Sequence, residues 1–152
     1  MSANINLVEY HSGGDGKLYE TKTELIGSSY ITNSLLEMLK KSFSLVEKEI
    51  YETIGENDCY SIECFDDADV EEIIKTLEDI FLSILKSDSE KLLGNSASKV
   101  GGVLPVLQET HINSNELVDS ISRFRTLTNV INLFNLKQVQ YNNNASVVLK
   151  IG

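Results

Sequence analysis

Apolar and polar positions alternate at the start of the chain. NINLVEYH, residues 4–11, is rich in β-forming residues and reads as a strand. SGGDGK, residues 12–17, is a turn cluster, and LYETKTELIG, residues 18–27, reads as the return strand of an N-terminal hairpin. The period then lengthens. Leu35, Leu39, Phe43, Val46, Ile50 and Ile54 recur at three- or four-residue steps, which marks one face of a helix. Ser34 and Glu37 have capping-box spacing, and Gly55 suits the residue that follows a helix end, so a helix is predicted over 33–54.

DCYSIECF, residues 58–65, predicts a short middle strand. A second helix starts in the acidic run behind it. Its stripe is Val70, Ile73, Ile74, Leu77, Ile80, Phe81, Ile84 and Leu85, and it ends near Lys86. Asp66, Asp67 or Asp69 serves as its N-cap, with Asp69 and Glu72 at capping-box spacing. Residues 87–113 are rich in Ser and Gly and predict a long or mobile loop. Within it VLPVLQET reads as extended, and Pro105 would keep it at a sheet edge. A third helix starts near Asn113 or Ser114, with Leu117, Ile121, Phe124, Leu127, Ile131 and Phe134 as its stripe. QVQY and ASVVLKI, joined through Asn142, Asn143 and Asn144, predict a C-terminal hairpin, because asparagine tolerates the left-handed backbone of tight turns. The whole is an α+β fold: one domain over 1–152, with a mostly antiparallel sheet covered by three amphipathic helices.

Composition narrows the class. A chain of 152 residues can bury about 70% of its unfolded surface and needs no disulfide or metal to fold. No apolar run is long enough for a membrane span, and the N-terminus lacks the features of a secretory signal, so a cytoplasmic protein is expected. The net charge of −10 argues against binding nucleic acid or an anionic membrane.

The charge is also segregated. Residues 47–90 hold 15 of the 23 acids and only three lysines, Lys48, Lys75 and Lys86, so this segment carries −12 and the remainder +2. An acidic face of this density steers basic partners. Asp66, Asp67, Asp69, Glu71, Glu72, Glu78 and Asp79 are the candidate partner-binding residues.

The chain matches no catalytic or metal-binding motif. Cys59 and Cys64 lie five apart, so on a strand they face opposite ways; the spacing is not CxxC, and two free thiols are expected, one buried and one half-buried. Asp67, Asp69, Glu71 and Glu78 fall at positions 1, 3, 5 and 12 of a calcium loop, but Glu72 stands where that loop needs glycine. GGDGK and GNSASKVGG do not fit the phosphate-loop pattern. His11 and His111 lack the spacing of a zinc or catalytic site. Arg123 and Arg125 flank Phe124 about 200° apart on a helix, so one of them is expected to pair with the acidic segment. No metal, cofactor or catalytic group is therefore expected. The chain reads as a non-enzymatic acidic protein that binds a basic partner, for instance an inhibitor or immunity-type protein that neutralises a nuclease toxin. The alternatives are an adaptor, chaperone or assembly subunit, binding through 87–113 or a sheet edge, and a small enzyme of unrecognised type.

Overall fold

The computed structural model describes residues 2–97 and 114–152, without the side chains of 92–97, 114 and 116. The N-terminal hairpin is present and longer than expected: β1 (Ser2–Ser12) pairs antiparallel with β2 (Leu18–Thr32) along almost its whole length. The turn between them is held by Asp15, which accepts from the Lys17 N–H at 3.1 Å and the Tyr19 hydroxyl at 2.5 Å. Gly27 lies beside a bulge in this ladder, where a Cβ would sit 2.9 Å from the Leu133 side chain. Glycine there lets a helix approach the strand closely.

The first helix is a correction. α1 (Asn33–Ser42) is capped by Thr32, whose hydroxyl accepts from the Leu35 N–H, rather than by the Ser34–Glu37 box. It stops where Phe43 turns extended, and β3 (Leu45–Tyr51) follows instead of further helix. Val46 and Ile50 suit either period. In the structure period two wins, because Val46, Lys48 and Ile50 pair with Cys64, Ile62 and Tyr60 of β4 (Cys59–Phe65).

Asp66 caps the next element by accepting from the Ala68 N–H, so the Asp69–Glu72 box is not used. A single 3-10 turn (Asp67–Asp69) leads into α2 (Val70–Ala97). This helix runs eleven residues beyond the expected end, so the first part of the predicted loop is helical. The expected extended segment at 103–110, with Pro105, lies outside the described residues. α3 (Ser114–Gln140) absorbs the first strand of the expected C-terminal hairpin. Only β5 (Val147–Ile151) remains, and it pairs antiparallel with β1 on one side and with β4, through Lys150 and Cys64, on the other. The order β1-β2-β3-β4-β5 closes into a barrel, antiparallel except where Leu18 and Tyr19 meet Ile50 and Tyr51 in parallel. The α+β class and the mostly antiparallel sheet therefore stand.

Two cores result. One lies between the helices and the sheet and includes Ile5, Leu7, Ile31, Leu39, Phe65, Ile73, Leu77, Val130, Phe134 and Leu149. Phe65 and Phe134 meet edge-on at 5.3 Å. The other lies inside the barrel and joins Val8, Tyr10, Ile50, Ile62, Cys64 and Val148. The buried stripe of α3 is Leu127, Val130, Leu133 and Phe134, whereas the expected Leu117 and Ile121 are exposed. Among the described residues its first turns pack on α2, joined by Phe81 on Phe124 and by the buried Asp88, which accepts from Ser120 and Arg123. That ion pair is the expected bond between an arginine and the acidic segment. No helix among the described residues is long and apolar enough to cross a membrane.

Lys137 is 1% exposed. Its ammonium donates to the carbonyls of Tyr141 at 3.1 Å and Asn144 at 2.9 Å and pairs with Asp67 at 3.2 Å. Burial pushes its pKa below the ordinary lysine value, against the pull of Asp67. Lys137→Met leaves that carboxylate and both carbonyls without their cation. It is expected to destabilise the fold by roughly 2–4 kcal/mol, read from urea unfolding.

Burial, with Tyr60 and Glu20 nearby, pushes the Tyr10 hydroxyl up to about 12. A raised phenol pKa favours the neutral form in the folded state. Its stabilisation is full below the ordinary value of 10 and is lost as pH rises towards 12. Between about pH 9 and about pH 11 the wild type should lose about 1.4 kcal/mol more stability than Tyr10→Phe. Urea unfolding of both proteins at the two pH values checks this.

Candidate functional site

The phase of the β3–β4 ladder follows from one bond just beyond it. The Glu52 N–H donates to the Asp58 carbonyl at 3.1 Å. Counting back in the observed register, the pairs at Ile50, Lys48 and Val46 are hydrogen-bonded, and those at Glu49 and Glu47 are not. In a non-bonded pair the Cα atoms lie only about 4.5 Å apart and the side chains are closest. Glu47 sits in such a pair with Glu63, and both are exposed. Two carboxylates directly opposite each other cost stability. Glu49 projects from the same face and accepts from the Tyr51 hydroxyl at 3.2 Å.

Beside β3 the barrel wall is interrupted. β2 reaches it only at Leu18 and Tyr19, so the stretch before Ile50 has no strand on that side. A gap of about 960 Å³ opens there. Its lining includes Lys17 from the β1–β2 turn, Glu47, Lys48 and Glu49 from β3, and Asn142 and Asn143 from the α3–β5 turn. Lys48 crosses behind it to donate to the Ala145 carbonyl at 3.4 Å. Lys17 stays over the Tyr51 ring at 4.4 Å. Asn143 adopts φ 58, the left-handed backbone expected of the asparagine turn. Asn142 and Asn143 also border a smaller cavity of about 130 Å³ with Asp67, Glu71 and Lys137. One turn therefore links the acids of β3 to those that begin α2.

The seven sequence candidates divide by role. Asp66 is a helix cap and Asp67 holds Lys137, so both are tied into the fold. Glu71 pairs with Lys75 at 3.0 Å on the exposed surface. Asp69 is half-buried in the 3-10 turn. Glu72, Glu78 and Asp79 are exposed and, among the described residues, make no ion pair. Glu78 and Asp79 lie two helical turns, about 10 Å, beyond Glu71 and Glu72.

Glu47, Glu49 and Glu63 belong to the acidic segment but not to the seven candidates, and the helix expected over 33–54 hides the strand face of the first two. The Glu-Lys-Glu alternation between Val46 and Ile50 was the signal for a strand face.

The thiols form no pair. Cys59 is exposed rather than half-buried, and Cys64 is buried, its pKa pushed up chiefly by that burial. Cys64 donates weakly to the Val46 carbonyl at 3.5 Å. Among the described residues no group of His, Cys, Asp and Glu is placed to hold a metal ion; His111 lies outside them. Comparison with family models, with curated proteins and with solved structures finds no match for the chain.

Glu63→Lys turns the repelling pair into an opposite-charge pair. It is expected to raise stability by about 0.5–1 kcal/mol in urea unfolding at neutral pH.

Proposed function

We propose that the chain is a non-enzymatic, acidic protein-binding protein that recognises a basic protein. Glu47, Glu49 and Glu63 on the barrel wall and Glu72, Glu78 and Asp79 on α2 supply the carboxylates. The observation that carries this reading is the pairing of Glu47 with Glu63 at the closest cross-strand position. Folding alone favours almost any other pair there. A carboxylate pair that costs stability when the chain is free is repaid when a cation arrives between its members.

The mechanism has two stages. The acidic field first speeds encounter with a positively charged surface, an effect that salt screens. The carboxylates then occupy sites where that surface would hold phosphate groups, by charge-assisted hydrogen bonds to Arg and Lys. A nuclease toxin is the concrete instance, since its substrate-binding surface must be basic.

A second reading, a subunit of an assembly, draws on a different observation. Leu82, Leu85, Leu117, Val118 and Ile121 are exposed large apolar residues, all on α2 and α3. Exposed apolar surface of this kind, where contiguous, marks protein contacts.

One experiment separates the two. The wild type and a Glu47→Lys, Glu63→Lys, Glu72→Lys, Glu78→Lys variant, which spares the structural Asp66 and Asp67, are immobilised and exposed to extract of the source cell. The main captured protein is identified by mass spectrometry and its association rate is measured against salt. The proposal expects a basic protein whose association slows at least tenfold between about 50 and about 500 mM salt, and at least tenfold in the variant. A rate indifferent to salt and to the four lysines refutes it, and favours the apolar reading if Leu82→Ser with Ile121→Ser abolishes capture.

A further inference from the structure

The gap beside β3 exposes backbone as well as carboxylates. In an antiparallel ladder each residue directs its N–H and C=O either to its partner strand or away from it. The phase fixed by the Glu52–Asp58 bond turns those of Glu47 and Glu49 away from β4 and into the gap. Parallel pairing at Leu18 and Ile50 engages the Glu49 carbonyl. Glu47 N–H and C=O and Glu49 N–H find no backbone partner among the described residues.

An open strand edge next to a cavity is a template for another strand. The space suffices, since about 960 Å³ is at the upper end of the range for ligand pockets. A segment of four or five residues, about 15 Å long, spans the open edge. Charge decides what kind of segment. Side chains on an added strand alternate, so every second one lies beside Glu47 or Glu49 on the outer face, close to Glu63. The intervening ones lie beside Lys48 and the barrel interior. The outer positions call for Lys or Arg, and the inner ones for short apolar or β-branched residues.

We propose that β3 is the docking edge for an extended segment of a basic partner, with cations at alternate positions, added to the barrel as a further strand through the gap. This rests on the reading of the acids as partner-binding and names the manner in which part of that partner is held.

The test uses the full chain and three labelled peptides in the same Gly-Ser frame: Lys-Val-Lys-Val-Lys, the same sequence N-methylated at two alternate backbone positions on the bonding edge, and Lys-Lys-Lys-Val-Val. Binding is followed by fluorescence anisotropy. The Glu47 and Glu49 amides are followed by NMR hydrogen exchange. The proposal expects saturable binding of the alternating peptide, at least tenfold tighter than either control. It expects exchange at the Glu47 and Glu49 amides to slow at least tenfold at saturation, and Glu47→Gln to weaken binding while keeping that protection. If the N-methylated and block peptides bind as well as the alternating one, strand addition is overturned while electrostatic recognition stands. If the alternating peptide does not bind saturably, or binds without slowing those amides, strand addition is overturned, and the capture experiment alone decides the acidic reading.

Discussion

The arrangement of the helices on the barrel depends on one buried cation. Lys137 sits near the end of α3 and neutralises Asp67 in the turn that starts α2. The same ammonium holds the carbonyls of Tyr141 and Asn144, which shape the run into β5. Two segments 70 residues apart, the start of α2 at Asp67 and the turn from α3 into β5 at Lys137, thus share one group. Burying it is costly, as its lowered pKa records, and the cost is bearable only because its partners are all in place. β5 can then leave the turn in register to pair with β1 and close the barrel against β4. The small cavity beside Lys137 and the larger gap beside β3 share Asn142 and Asn143 because this one turn stands between them.

Closure is incomplete by construction. β2 and β3 meet over two residues, so the wall has a seam. A closed barrel normally removes its strand edges. This one keeps part of an edge and lines it with Glu47 and Glu49, while Lys48 turns inward to the Ala145 carbonyl. Charged residues on an edge, and one directed inward, are common protections against self-pairing.

Much of the fold was legible where local and tertiary preferences agree. The N-terminal hairpin, the middle strand, the helix after the acidic run and the left-handed asparagine followed from pattern and turn chemistry. Elsewhere the local pattern misleads. Residues 45–51 carry helix-forming Leu, Glu and Lys at helical spacing, and the ladder with β4, with the short parallel contact to β2, makes them a strand. Gln138 and Val139 read as strand, yet the helical bond from the Tyr141 N–H to the Lys137 carbonyl continues α3 past them. Lys137 itself gave no signal, since an isolated lysine is ordinarily a surface residue. The acidic segment was visible as a count, but the division of its acids between cap, buried pair and free carboxylate depends on contacts across the chain.

The weak strand preference of β3 and its open edge belong together. A strand of Val, Ile and Thr at this position would hold its conformation unaided, and it would also invite any extended chain, including another copy of itself. With Glu at alternate positions, a second β3 placed alongside would bring carboxylates against carboxylates on the outer face. The same edge meets a segment of alternating cations with attraction at each outer position and with the unpaired backbone groups of Glu47 and Glu49. The features that made the stretch resemble a helix, its glutamates and lysine, are thus the ones that make the edge selective. β3 draws its structure from β4 on one side. That leaves the chemistry of the other side to be set by charge rather than by apolar pairing.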